Sequence, residues 1–234
     1  MSRNDMLLVK ILNRVKGEFN LLGNKLMKFY RSLHANQHQL TSTTSENRYP
    51  ELFDEARKAL VGHVAVGTKI LSYGCSTGEE CFSLRRYFPN SRIIGVDINK
   101  SNLRIAQSNN DDPNIEFFSS NETNIKTLGP YHAIFCLSVL CRWEDTKLLQ
   151  NCANVYPFSK YEASIAFLAS QIVEGGLLII YNSNFRFEDT RVFGEFEIID
   201  TPSVSDSGFV VKFDSFNNRV ETLHRPCIYR KKYQ

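Results

Sequence analysis

The apolar positions of this chain change their spacing as the sequence proceeds. From Met6 to Leu33 they recur at three- and four-residue steps through Leu8, Ile11, Leu12, Val15, Phe19, Leu22, Leu26, Phe29 and Tyr30, which predicts helix. Gly17 and Gly23 weaken that pattern and are expected to split it. The stretch from His34 to Asn47 is polar, rich in Ser and Thr, and reads as a linker. Pro50 then opens a helix with Leu52, Phe53, Ala56, Leu60 and Val61 as its buried face. Proline suits a first helical turn, where no N–H is needed.

From Lys69 onward short apolar runs alternate with amphipathic ones. Strands are expected at Lys69–Tyr73, Arg92–Asp97, Ile115–Phe118, His132–Ser138 and Leu177–Asn182. Helices are expected at Glu79–Tyr87, Lys100–Ser108, Glu144–Gln150 and Lys160–Val173. Such alternation implies an α/β, Rossmann-like fold: a mostly parallel sheet with helices on both faces. The tail differs. Phe196–Asp200, Phe209–Phe213 and Ile228–Lys232 follow one another without helices, which predicts an antiparallel C-terminal edge on a seven-stranded sheet. The expected organisation is a basic amphipathic helical extension over residues 1–40 and one α/β domain over residues 41–234.

Charge sharpens the division. The chain carries net charge +3, too little to point to nucleic acid, yet residues 1–40 hold seven Lys/Arg and only two Asp/Glu. A basic amphipathic segment of this kind suits packing on the catalytic domain, self-association, or peripheral contact with an anionic membrane. Lys10, Arg14 and Lys16 interrupt the first apolar stretch, so neither a signal peptide nor a membrane span is expected. The six cysteines show no C-x-x-C and no cysteine–histidine spacing typical of zinc. Reduced thiols, a cytoplasmic setting and no metal are therefore expected.

The chemistry is concentrated after the first expected strand of the alternating region. Ser72-Tyr73-Gly74-Cys75-Ser76-Thr77-Gly78-Glu79-Glu80 turns from strand into helix through two glycines. That places backbone N–H groups and a helix start where open α/β sheets bind ligands. The next strand ends in Asp97, an acid placed to suit ribose hydroxyls. Together these imply a nucleoside-containing cofactor. The G-x-x-x-G spacing departs from the G-x-G-x-x-G of dinucleotide folds, and Gly78 lacks the Lys-Ser/Thr of a P-loop. Adjacent carboxylates at 79 and 80 repel a triphosphate but suit a cationic group, which favours S-adenosylmethionine.

Cys75-Ser76-Thr77-Gly78-Glu79-Glu80 closely resembles the cofactor loop of the chemotaxis-receptor glutamate methyltransferases (CheR type), members of the class I methyltransferase fold. Ile94-Gly95-Val96-Asp97-Ile98-Asn99, Ala133-Ile134-Phe135-Cys136 with Val139-Leu140, Glu174-Gly175-Gly176-Leu177-Leu178, and Asn47-Arg48 with Phe53 extend the likeness over residues 44–183. The resemblance implies that Gly74, Cys75, Ser76, Thr77, Gly78 and Glu79 shape the amino-acid end of the site, with Ser72 among the cofactor-binding residues. By the same resemblance Asp97 takes the ribose, Ile98 packs on adenine, Ser120 or Asn121 touches its edge, and Arg48 approaches a carboxylate. Leu137-Ser138 and Cys141-Arg142-Trp143 depart from the family pattern, with Ser138 standing where an asparagine helps hold the cofactor.

The acceptor is left open between a small molecule and a protein carboxylate. Arg142 with Arg48 is the candidate pair for holding an anionic acceptor by bidentate contacts. Trp143 is a candidate apolar wall, and Asn182, Asn184, Arg186 and Glu188 follow the fifth strand on the same side. A non-catalytic binding module recruited by the basic N-terminal segment is the remaining alternative.

Overall fold

The structure, a computed structural model, describes residues 38–39, 44–60 and 67–233. Contacts divide the chain into residues Met1–Leu40 and Thr41–Gln234, and the account below concerns the second unit. The helical reading of Met6–Leu33 lies outside the described residues, as does Val61.

Helix α1 (Pro50–Leu60) precedes strand β1 (Lys69–Tyr73), and helix α2 (Glu79–Tyr87) follows it. Next come β2 (Arg92–Asp97), α3 (Lys100–Ser108), β3 (Ile115–Ser119), α4 (Glu122–Leu128) and β4 (Tyr131–Leu137). A short α5 (Trp143–Thr146), α6 (Phe158–Ser170) and the long β5 (Ile172–Tyr181) complete the alternating part. The tail contributes β6 (Phe196–Ile198), β7 (Lys212–Phe213), β8 (Arg219–Val220) and β9 (Ile228–Lys231).

Seven strands form one sheet in the order β3-β2-β1-β4-β5-β9-β6. The register is parallel from β3 to β5, with Ile70 opposite Ile93 and Ala133, and Ile134 opposite Leu178. Only β9 runs against its neighbours, pairing Ile228 with Ile179 on one side and Tyr229 with Ile198 on the other. Because β9 lies between β5 and β6, β6 runs with the parallel strands at the outer edge.

Alternate residues along each strand supply two apolar layers. Ile70, Ile93, Phe135 and Leu177 face α1 and α2, meeting Leu52, Phe53, Ala56, Leu60 and Leu84. Leu71, Ile94, Ile134 and Leu178 face the opposite way, onto Tyr161, Ile165 and Leu168 of α6. Each such fully buried leucine, isoleucine or phenylalanine is worth about 1.5–3 kcal/mol relative to exposure. Parallel strands joined by these helices all end at one edge of the sheet, and that edge carries the candidate site.

Four expectations need correction. Strand β5 begins at Ile172 rather than Leu177, because the strand runs on through Gly175-Gly176, and the helix expected to reach Val173 accordingly ends at Ser170. Helix α4 was not expected; Ile125 is its only buried apolar residue, too few to set a helical period. Helix α5 ends at Thr146, well short of Gln150. Of the three tail segments, Phe209–Phe213 does not join the sheet edge: Lys212–Phe213 pairs with Arg219–Val220 in a separate two-stranded ribbon.

Candidate functional site

The chain leaves β1 through a turn that uses three left-handed residues. Gly74 (φ 82°), Ser76 (φ 52°) and Gly78 (φ 100°) adopt it. The two glycines do so without steric cost, whereas a serine here needs support from outside the turn. Asp97 gives that support, its Oδ2 accepting the Ser76 N–H at 2.9 Å. Its other oxygen accepts the Asn99 N–H at 2.7 Å. The Gly74 and Cys75 N–H groups both donate to the Val96 carbonyl, at 2.8 and 3.0 Å. The turn is thus fastened to the end of β2.

Asn99 rather than Asp97 caps α3, its side-chain oxygen accepting the N–H groups of Ser101 and Asn102. Asp97 is therefore not required as a helix cap. The next residue, Ile98, is 45% exposed. At the end of β3, Ser120 donates its N–H to the Asp97 carbonyl at 2.9 Å. Asn121 caps α4 by accepting the Asn124 N–H at 2.8 Å.

The two acids that open α2 diverge. The Thr77 hydroxyl donates to the Glu79 carboxylate at 2.7–2.8 Å, at the surface of the turn. Glu80 turns inward, where the buried Ser72 hydroxyl donates to it at 2.8 Å. Burial pushes the Glu80 carboxyl up to about 8, against the opposing pull of Ser72 and the Arg48 charge. The Cys75 thiol is raised well above its usual range by its hydrogen bond with Cys81 and by burial. It therefore stays neutral, and Cys75 shapes the turn through its backbone. The start of α2 at Gly78 has no side-chain cap.

A second polar group forms where β4 and β5 end. Ser138 (φ 57°) and Asn182 (φ 55°) are the left-handed exits from those strands. Asn182 Nδ2 donates to Tyr49 Oη and to Ser138 Oγ, both at 3.0 Å. The two hydroxyls lie 2.8 Å apart. Tyr49 is held over the site by its ring, which packs on Tyr181 with centroids 4.9 Å apart, while the Arg48 guanidinium lies 5.1 Å above it. The same segment is tied to α2, with Asn47 N–H donating to Ser83 Oγ at 2.7 Å and Glu46 paired to Arg86.

This polar group adjoins the glycine turn. A Cβ on Gly74 would lie 2.5 Å from Val139 Cγ2, so the residue after Ser138 packs directly on the turn. On its far side, Asn182 Oδ1 accepts the Phe209 N–H at 2.9 Å. The Phe209 ring meets Trp143 edge to face, 5.4 Å between centroids.

The structure therefore brings together the turn from Gly74 to Gly78, Asp97 and Ile98, and sets Arg48 and Ser138 at the adjoining mouth. Ser72 lies beneath the turn, bonded to Glu80. Arg142 is buried, 6% exposed, with Asp145 3.8 Å from its guanidinium and its N–H donating to Asn184 Oδ1 at 2.6 Å. A carboxylate is thus already beside this arginine, and a bidentate hold on a ligand would have to displace it. Tyr49 and Phe209 were missed by sequence reasoning. The one available signal was the neighbourhood of Tyr49 to Arg48 and of Phe209 to the Asp206–Gly208 turn. Among the described residues no cluster of His, Cys, Asp and Glu could hold a metal ion.

Residues 70–157 match the protein family described as methyltransferase domain, a stretch that carries the turn, Asp97, Ser138 and Arg142. The match does not single out the chemotaxis-receptor enzymes. No curated protein gives a significant match. Among solved structures, the chain is similar to CalS10, an amino pentose methyltransferase of calicheamicin biosynthesis from Micromonospora echinaspora, solved with SAM bound. The identity is 15%, over 68% of this chain and 58% of that one, with a TM-score of 0.43. It is also similar to the plantazolicin methyltransferase BpumL solved with SAH, at 12% identity over 58% of this chain and 49% of that one, TM-score 0.41. A third is PKMT2 from Rickettsia typhi, at 19% identity over 59% of this chain and 26% of that one, TM-score 0.41. The chain thus spans about half the length of the first two of these structures.

Proposed function

We propose that this protein is an S-adenosylmethionine-dependent methyltransferase acting on a small-molecule acceptor. One observation carries the reading. In a sheet ordered 3-2-1-4-5 through its parallel part, the acid ending β2 fastens the glycine turn that follows β1. An acid so placed faces the crevice where such sheets bind nucleosides.

The residues present fit the cofactor. Asp97 keeps lone pairs beyond its two backbone bonds, and these would accept the ribose hydroxyls. The exposed Ile98 offers an apolar face to adenine, with Ser120 at its edge. Glu79 lies at the turn, where it would meet the ammonium, and Arg48 lies near enough to act on Glu80 and suits the carboxylate. When bound, the cofactor would supply an activated methyl group to the acceptor. The chain's part is alignment and exclusion of water, which in favourable systems supplies up to ~7–11 kcal/mol. Val139, packed on Gly74, and Tyr49, packed on Tyr181, wall the space between turn and mouth. The six buried cysteines, none in a disulfide, suit the reducing cytoplasm.

A protein carboxylate is the second reading, favoured by Arg48 at the mouth, since guanidinium recognises carboxylates well. Calorimetry with S-adenosylmethionine, S-adenosylhomocysteine and NAD tests the common premise. Heat is expected with the first two and not with NAD. Asp97→Ala should weaken S-adenosylmethionine binding by about 1–3 kcal/mol, the worth of a charged hydrogen bond. Folded protein that gives no heat with S-adenosylmethionine would remove the assignment.

A further inference from the structure

We propose that Tyr49, Ser138 and Asn182 hold the acceptor's reacting hydroxyl or amino group, and that the acceptor is a small aromatic compound resting against Phe209 and Trp143. This deepens the methyltransferase reading and rests on it.

The Asn182 amide has two N–H hydrogens, one directed to Tyr49 Oη and one to Ser138 Oγ. The two hydroxyls, 2.8 Å apart, share one more hydrogen between them. No other polar atom among the described residues bonds either hydroxyl. One hydroxyl oxygen therefore accepts twice and points its own hydrogen out of the triangle. The other accepts once, donates once, and keeps an outward lone pair. The triangle presents one donor and one acceptor side by side.

A neutral hydroxyl or amino group matches both, since it carries a hydrogen and a lone pair. A carboxylate only accepts and an ammonium only donates, so each would leave one member of the triangle unmatched in a half-buried place. The site thus discriminates against the protein-carboxylate reading. It also lies beside the place where the methyl would be delivered, because Val139, next to Ser138, packs on Gly74.

The body of the acceptor is read from the other end of Asn182. Its Oδ1 fixes the Phe209 backbone at 2.9 Å, so one side chain couples the triangle to the aromatic rim. The position of Phe209 is set tightly, since a Cβ on Gly208 would collide with Asn182 Oδ1 at 2.0 Å. Yet the Phe209 side chain is 64% exposed. A phenylalanine so firmly placed and so little covered, edge-on to Trp143, offers the wall on which a flat ring stacks.

The test uses the whole protein loaded with S-adenosylhomocysteine, and saturation-transfer NMR with catechol and 4-aminophenol as probes. Their saturated counterparts, cyclohexane-1,2-diol and 4-aminocyclohexanol, and benzoate serve as controls. The two aromatic probes are expected to bind at least about fivefold more tightly than all three controls. Tyr49→Phe and Phe209→Ala should each lose at least about fivefold for the aromatic probes while remaining folded by circular dichroism and still loading with S-adenosylhomocysteine. Equal binding of benzoate or of the saturated compounds overturns the proposal. So does wild-type binding by both variants, or loaded protein that binds neither aromatic probe; the methyltransferase reading survives each of these. Failure to load with S-adenosylhomocysteine removes both together.

Discussion

Glu79 and Glu80 look alike in sequence, yet the fold gives them opposite surroundings. Glu79 meets Thr77 at the surface of the turn, whereas Glu80 is turned under it against Ser72. With its carboxyl raised to about 8, Glu80 holds a proton in the folded chain between about pH 4.5 and 8, where the unfolded chain has lost it. The folded state binds more protons in that window, so stability falls as pH rises through it, by at most about 1.4 kcal/mol per pH unit. Glu80→Gln keeps an oxygen for Ser72 but removes the titration. Urea unfolding should show the variant close to wild type at pH 5 and more stable by roughly 1–3 kcal/mol at pH 8. Parallel pH profiles for the two proteins would refute this account of Glu80. The same contrast shows what was legible at this scale. Asp97 could be read because its role follows from a charge at a strand end. Tyr49 could not, because it reaches Asn182 across 133 positions, and no local pattern records such a contact. Arg142 was legible as a cation after β4 but not as one buried beside Asp145.

The turn and its helix act as one element. β1, α2, β2 and α3 begin and end where the sequence placed them, since apolar runs of five or six residues bounded by glycine, proline and asparagine leave little freedom. Less was legible where a signal was shared. The glycine pair in β5 resembles a turn, but Gly175 is accommodated within the strand at φ 73°. Helix α4 is announced only by its Asn121 cap and lacks an apolar stripe. Within the turn, Gly74 is constrained twice. Its φ of 82° disfavours any side chain, and a Cβ would meet Val139 at 2.5 Å. Gly74→Ala should destabilise the protein by about 1–3 kcal/mol through strain and overpacking, read as a lower melting temperature. Adding Val139→Ala removes the clash but not the backbone strain. The double variant should therefore lose less than the sum of the two single variants. Strict additivity would mean that strand-four exit and turn are not packed as described.

At the scale of the whole molecule, the site edge is polar while the two apolar layers beneath it are rich in sulfur. All six cysteines are buried and none is in a disulfide. Burial holds Cys141 and Cys152 up at about 12 and Cys227 at about 11. Cys136 is raised well above its usual value by the same cause, and Cys75 by its bond to Cys81 together with burial. In the unfolded chain these thiols ionise near pH 9, so above that pH the folded state binds five more protons than the unfolded one. A raised thiol contributes stability that is complete below the unfolded value and lost as pH rises toward the folded one. Lys160 and Lys212, lowered by burial to about 8, work the other way between about pH 8 and 10.5, because the unfolded chain keeps their protons longer. The raised thiols outnumber the two ammonium groups, and the tyrosines that burial also raises, Tyr73, Tyr131 and Tyr181 to about 12, add to their side above about pH 10, so the net effect is a loss of stability once pH passes about 9. Urea midpoints measured in reductant should therefore change little from pH 8 to 9, where the lysines offset the thiols, and fall from pH 9 to 10. Cys136→Ala should shallow the decline by about one proton, since it removes one titrating group whatever its packing cost at pH 8. A midpoint that stays level to pH 10 would show that water reaches these thiols in the folded state, and that the layers under the site are looser than the packing around β4 and β5 implies.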